Sequence, residues 1–176
     1  MNGFILVNKE SGVSSNFVVQ KIKKKIKAQK IGHLGTLDPL ASGLLILAVN
    51  RATKFSSYFL ESDKSYDVEV EFGASTDTDD STGKIIYESN IYPSKSSIKN
   101  ELEGFIGESL QVPPFFSALK YKGKPLYKYA REGELITKPP RKILVSRIEN
   151  IDFDSKICSF KIYCSKGTYI RSIARD

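Results

Sequence analysis

Residues 32–47 read GHLGTLDPLASGLLIL, a glycine-rich turn that runs into an apolar stretch. Leu44 to Val49 has the length and composition of a buried strand. Just ahead of it Asp38 precedes Pro39, and a residue before proline is pushed toward extended backbone and away from helix. Gly32, Gly35 and Gly43 allow tight turns and let another molecule approach closely. The stretch therefore specifies a loop carrying one carboxylate and anchored on a rigid strand, a favourable setting for a catalytic side chain. It does not by itself name a reaction.

Phe4 to Val7 reads as a first strand, after which Ser14 or Ser15 caps a helix with Val18, Ile22 and Ile26 at every fourth position. The other faces of that helix carry Lys21, Lys23, Lys24, Lys25 and Lys27, either a solvated surface or a phosphate-contacting one. Tyr66, Val68, Val70 and Phe72 alternate with Asp67, Glu69 and Glu71, the period of a half-buried strand. Residues 84–87 read as its returning neighbour. Between them lies TDTDDSTG, residues 76–83. Asp77, Asp79, Ser81 and Glu88 fall at calcium-loop spacing, but Gly83 comes one position late for the required turn. Asp and Ser serving a surface turn fit the segment better.

Ser94 caps a helix with Ile98, Leu102 and Phe105 on one face. The double proline and aromatic pair in residues 111–133 read as a loop or edge strand, followed by a short helix over residues 125–131. Residues 143–153 and 157–164 are further strands, and in the second Cys158, Phe160, Ile162 and Cys164 share one face. Thr168 is placed to cap a last helix with Ile170, Ile173 and Ala174 inside. That helix stops after about two turns, with Asp176 where the helix dipole disfavours a negative charge and with no glycine stop, so the chain is expected to be a fragment.

At 176 residues the chain can bury a core as one domain. Its 27 Lys and Arg against 20 Asp and Glu leave +7, which favours a polyanionic partner, nucleic acid or an anionic surface. The longest apolar run falls far short of the roughly 20 residues a membrane helix needs, and the N-terminus lacks the pattern of a signal peptide. Cys158 and Cys164, six positions apart on one strand, sit about 20 Å apart at ~3.3 Å per residue and cannot bridge. These points fit a cytoplasmic setting. A single histidine, His33, argues against a multi-ligand zinc site.

Five ordered stretches, GHLGTLDPLASGLL, NRATKF, KSYDVEVEFGASTDTDDSTG, QVPPFFSALKYKGKPLYKYAREG and SKGTYIRSIARD, extend over essentially the whole chain. Together they resemble the TruB family of tRNA pseudouridine synthases. The resemblance implies an α/β (α+β) pseudouridine synthase fold, with a mixed, mainly antiparallel central sheet flanked by helices and loops. Residues 1–176 would be the catalytic domain, incomplete at its C-terminal end, with the small C-terminal RNA-binding domain absent. The implied reaction isomerises the T-loop uridine at tRNA position 55 to pseudouridine, with no metal or cofactor. The implied partner is the T-arm stem-loop, met by a monomer that needs no guide RNA, protein partner or membrane.

By the same resemblance Asp38 is the nucleophile, Tyr66 the stacking residue that also moves a proton, and Arg171 the partner of Asp38. An arginine beside a carboxylate favours the ionised form a nucleophile requires. Tyr169 forms the site floor. His33 contacts flipped T-loop bases, for a stacked uridine must be turned out before it can react; it is followed by Leu34, where many family members carry threonine. Gly35, Thr36 and Lys64 complete the substrate site, and Lys21, Lys24 and Lys25 contact RNA phosphates. Taken singly, Asp38-Pro39 would be a turn, Tyr66 core, Arg171 a surface residue and His33 a loop residue; the ordered set carries the functional reading. Three alternatives remain at this level: an RNA-guided relative sharing the Gly-Thr-Leu-Asp-Pro core, a non-catalytic RNA-binding or RNA-chaperone module, which basic charge and aromatics serve equally well, and, least favoured, an acidic-loop calcium protein.

Overall fold

The first strand, Gly3–Lys9 (β1), alternates partly buried and exposed residues and ends on Lys9, which is 1% exposed. A helix follows, Ser15–Ile26 (α1), capped by the Ser14 hydroxyl, which accepts from the Phe17 amide. Lys27 closes it in the left-handed conformation. Ile31–His33 (β2) and Gly43–Val49 (β3) complete a three-stranded antiparallel sheet in the order β1-β3-β2. The computed structural model describes residues 1–176, and the chain divides into two units, Met1–Ser62 and Asp63–Asp176.

In the first unit β3 is the middle strand and is covered on both faces. Leu45 and Leu47 pack with Val19 of α1, while Ala48 packs with Leu34 and Ala52 on the other side. A strand buried on both faces reads as a continuous apolar run, which is why this one is legible in the sequence. Leu44 departs from that expectation. It is 63% exposed, at the end of the strand where it pairs with Asn8. Gly32 departs too, lying within β2 rather than in the turn. On α1 the most buried positions are Ser15 and Val19, with Val18 and Ile22 beside them, so the inward stripe is rotated slightly from the Val18, Ile22, Ile26 spacing. Lys21, Lys24 and Lys25 are exposed. A six-residue 3-10 turn and a short helix, Ser56–Leu60 (α2), end the unit.

The second unit is built on Lys64–Glu71 (β4). Its Tyr66, Val68 and Val70 are partly buried and Asp67, Glu69 and Glu71 exposed, as the alternation requires. Ala74–Thr76 (β5) and Ile85–Glu88 (β6) form a hairpin around the acidic segment. Ser94 caps Lys95–Gly104 (α3), which buries Ile98 and Leu102. Gly107–Gln111 (β7) follows, then Lys120–Tyr121 (β8), Lys124–Pro125 (β9), Leu126–Arg131 (α4), Arg141–Asp154 (β10), Ile157–Cys164 (β11) and Ile170–Arg175 (α5). β4, β11, β10 and β7 form one sheet in that order, with every ladder antiparallel. Cys158, Phe160, Ile162 and Cys164 face inward, against Ile98, Leu102, Val145 and Ile173. Both cysteines are free and buried.

The architecture is thus α/β with antiparallel sheets. The strands, however, divide into a three-stranded and a four-stranded sheet with two small ribbons, where one central sheet was expected. α5 also differs from its reading. Its N-cap is Tyr169, and the Thr168 hydroxyl donates instead to the Ser165 carbonyl at 3.0 Å. Ala174 is exposed, and Ser172 takes the buried position, donating to the Val112 carbonyl.

Candidate active site

Asp38 lies in the irregular segment between β2 and β3, half-buried, with its carbonyl accepting from the Ala41 amide at 3.1 Å. Four residues of the β1–α1 region hold this segment. Lys9 Nζ donates to the carbonyls of Glu10 (3.0 Å), Val13 (2.8 Å) and Pro39 (3.3 Å). The Gly12 amide donates to the same Pro39 oxygen, and Ser11 Oγ donates to Leu40 O. Ser15 Oγ both donates to Leu37 O (2.9 Å) and accepts from Leu37 N (3.0 Å). The residues flanking the carboxylate on both sides are therefore fixed. Burial pushes the Lys9 ammonium below the usual lysine range, and the charge of Asp38 opposes that shift.

His33 pairs with Leu47 and lines a cleft of about 240 Å³ with Lys30, Leu34, Thr53, Ser56 and Leu60. Its Nδ1 is buried without a hydrogen-bond partner. Burial holds the imidazole below its ordinary pKa, and an interaction with the Gly35 backbone partly offsets this. Gly35 itself has φ +149°, a conformation side chains rarely adopt. Thr36 is exposed.

In the second unit Tyr66 pairs with Ile162, and Lys64 with Cys164 at the end of β11. The chain then turns through Gly167 into Tyr169 and α5. Tyr169 is held from below by Gln111, which is 2% exposed: its Nε2 donates to Tyr169 O (3.0 Å) and its Oε1 accepts from Tyr169 N (2.8 Å). The Arg141 guanidinium lies 4.5 Å above the Tyr169 ring. Arg171 is nearly buried. Nη1 donates to Thr78 O (2.8 Å), Nη2 to Phe116 O (2.9 Å), and Nε is 3.8 Å from Asp80 Oδ2. Asp80 also accepts from Thr78 Oγ1, Thr82 N and Thr82 Oγ1. Arg175 pairs with Asp79 at 3.0 Å; burial raises the Asp79 pKa, and Arg175 and then Arg171 pull it back.

The acidic segment is therefore not a plain surface turn, since two of its carboxylates receive the arginines of α5. Of the residues singled out in the sequence, His33, Gly35, Thr36 and Asp38 sit together in the first unit, with Lys21, Lys24 and Lys25 on the exposed side of α1. Lys64, Tyr66, Tyr169 and Arg171 belong to the second unit. Sequence reasoning missed Lys9, Ser15, Gln111, Arg141, Asp79 and Asp80 as supports. Lys9 carries no signal among so many basic residues. The clustering of Asp79 and Asp80 was visible, but their partners lie over ninety residues away.

The family description TruB family pseudouridylate synthase (N terminal domain) matches residues 23–170. Proteins named tRNA pseudouridine synthase B are similar along the whole chain. That of Blochmanniella floridana is 48% identical over 176 residues, with 69% of its own length covered. That of Shewanella sp. (strain MR-4) is 45% identical, with 56% covered, and that of Wigglesworthia glossinidia brevipalpis 49% identical, with 54% covered. The chain thus spans between half and about two thirds of the length of these curated relatives. Among solved structures, a chain of a Cbf5-Nop10-Gar1 complex superposes with a TM-score of 0.71 at 28% identity, over 98% of this chain and 42% of that one. A chain of an H/ACA RNP bound to a substrate RNA containing 2'-deoxyuridine gives 0.68 at 25% identity, over 98% and 40%. With one family description spanning most of its residues and relatives near half identity along its full length, the chain belongs to the TruB family of pseudouridylate synthases.

Proposed function

We propose that this chain carries the catalytic part of an enzyme that isomerises uridine to pseudouridine in tRNA, at T-loop position 55, with Asp38 as nucleophile and no cofactor. The supporting observation is the fixed Asp38 loop, a carboxylate whose flanking residues are tied down by Lys9, Ser11, Gly12 and Ser15. A nucleophile that must meet one carbon of a flipped nucleotide gains most from such rigidity. Asp38 attacks either the sugar or the base ring; the base leaves the sugar, turns, and rejoins through carbon 5. Tyr66 stacks on the base and moves a proton, Tyr169 supports it from below, and Arg171 serves as the partner of Asp38. His33 contacts bases turned out of the loop, Gly35, Thr36 and Lys64 line the substrate, and Lys21, Lys24 and Lys25 meet phosphates.

We read the substrate as tRNA, approached by a monomer without a guide. Identity to the proteins named tRNA pseudouridine synthase B is 44–49%, against 25–28% for the H/ACA and Cbf5 chains. Charge and the lack of a helix long enough to cross a membrane agree with an RNA partner and a cytoplasmic location. The test is tritium release from a T-arm stem-loop labelled at uridine carbon 5, with no added metal or guide RNA. Release at the T-loop uridine is expected. RNA binding without release, unchanged by Asp38→Asn, would favour the non-catalytic module.

A further inference from the structure

Arg141 is the one arginine of the second unit whose Nε is shut from solvent and has no hydrogen-bond partner. It makes no hydrogen bond or ion pair at its other nitrogens either, and its contact is with the Tyr169 ring at 4.5 Å. Arg147 offers the contrast, for it stacks on Tyr163 at 3.9 Å but has Glu149 3.2 Å from its Nε. A buried N–H without an acceptor is a costly arrangement, which attraction to one aromatic face offsets only in part, while the two outer nitrogens have no protein partner and are not shut from solvent. The surroundings hold it there. Gly167, at φ +77°, has no side chain, and a Cβ added to it would come within 3.3 Å of Arg141 Nη1. Gln111, the ladder partner of Arg141, clamps the Tyr169 backbone so that the ring below stays in place.

We propose that Arg141 is a docking point for a phosphodiester oxygen of the bound RNA, beside the Tyr169 ring. This rests on the RNA-substrate reading above. The planar fork of a guanidinium matches the paired oxygens of a phosphate, and an aromatic floor next to it is the arrangement that single-stranded nucleotides favour. No ion pair joins Arg141 to a carboxylate of the protein, and Asp79 and Asp80 are engaged by Arg175 and Arg171, so an anion for Arg141 has to come from outside the protein.

The test compares the chain with its Arg141→Met and Arg141→Lys variants in binding a T-arm stem-loop across a range of salt concentrations. A parallel series uses stem-loops carrying a single neutral methylphosphonate at each T-loop position. Arg141→Met is expected to weaken binding about tenfold and to lower the salt slope by about one. One methylphosphonate should weaken the unaltered chain but leave Arg141→Met indifferent. Affinity equal to the unaltered chain, or no position coupled to Arg141, overturns the proposal. Should Arg141→Met fail to fold, the same coupling is read in Arg141→Lys. If the unaltered chain binds no RNA, the substrate reading fails, and inorganic phosphate titrated against the Arg141 guanidinium Nη–H resonances decides separately. A saturable shift confined to Arg141 keeps the anion site; no shift removes it.

Discussion

Lys9 donates to the carbonyl of Pro39 across thirty residues of chain, tying the end of β1 to the residue that follows Asp38. The same ammonium satisfies Glu10 and Val13. Replacing it with Lys9→Met leaves the Glu10 and Val13 carbonyls without this donor and Pro39 O with the Gly12 amide alone, and each buried polar group so stranded costs about 1–3 kcal/mol. Urea unfolding should show a loss in that range or somewhat above it. Turnover should fall more than the remaining folded fraction explains, because the Asp38 segment loses its anchor; turnover in proportion to the folded fraction would count against a positioning role.

Asp38→Asn keeps the shape of the loop and removes the carboxylate proposed as nucleophile. Tritium release should vanish while stem-loop affinity stays within about threefold, since one neutralised carboxylate changes a phosphate-driven affinity little. Turnover like that of the unaltered chain would sink the assignment.

Arg171 uses three nitrogens in three directions, a pattern only a guanidinium can supply. Arg171→Lys keeps the charge but can reach at most part of that set. Activity should drop by at least tenfold, with stability lowered by about 1–3 kcal/mol for the carbonyls left without a donor. Asp80→Asn should give a smaller loss of the same kind, read in the same assay.

His33 titrates below its ordinary value because burial disfavours the charged form. The folded state therefore binds this proton less readily than the unfolded chain. Stability contributed here is present above the unfolded histidine pKa, near 6.5, and declines as pH falls through that value. Unfolding curves at stepped pH should show it, and His33→Gln should flatten that part of the profile. An unchanged profile in the variant would place the pH dependence elsewhere.

What could be read in advance follows the range of the interactions. β3, β4 and β11 announce themselves because burial alternates or persists along consecutive residues, and Ser14 and Ser94 because a cap acts within three residues. Tyr169 as the cap of α5, Gln111 beneath it and the Arg171–Asp80 pair were not legible, since each joins residues brought together only by the fold. The length of β10 was nearly right, but its two register shifts, around Ser146 and near Asn150, leave no periodic trace. The Asp38 loop was found by composition and motif; its anchor Lys9 was not, because a buried lysine looks like any other in a basic chain.

The β5–β6 loop looks like a place where evolution or an engineer could insert residues freely, being polar, short and at a hairpin tip. Its wiring to Arg171 and Arg175 says otherwise. A tag spliced in near Thr78 would displace the carbonyl and carboxylates that seat both arginines, and even a side chain at Gly83 would collide with Thr78 and Asp77. The exposed stretch around Gly133 and Leu135 carries no such connection and is the safer site for labels, affinity handles or loop grafts.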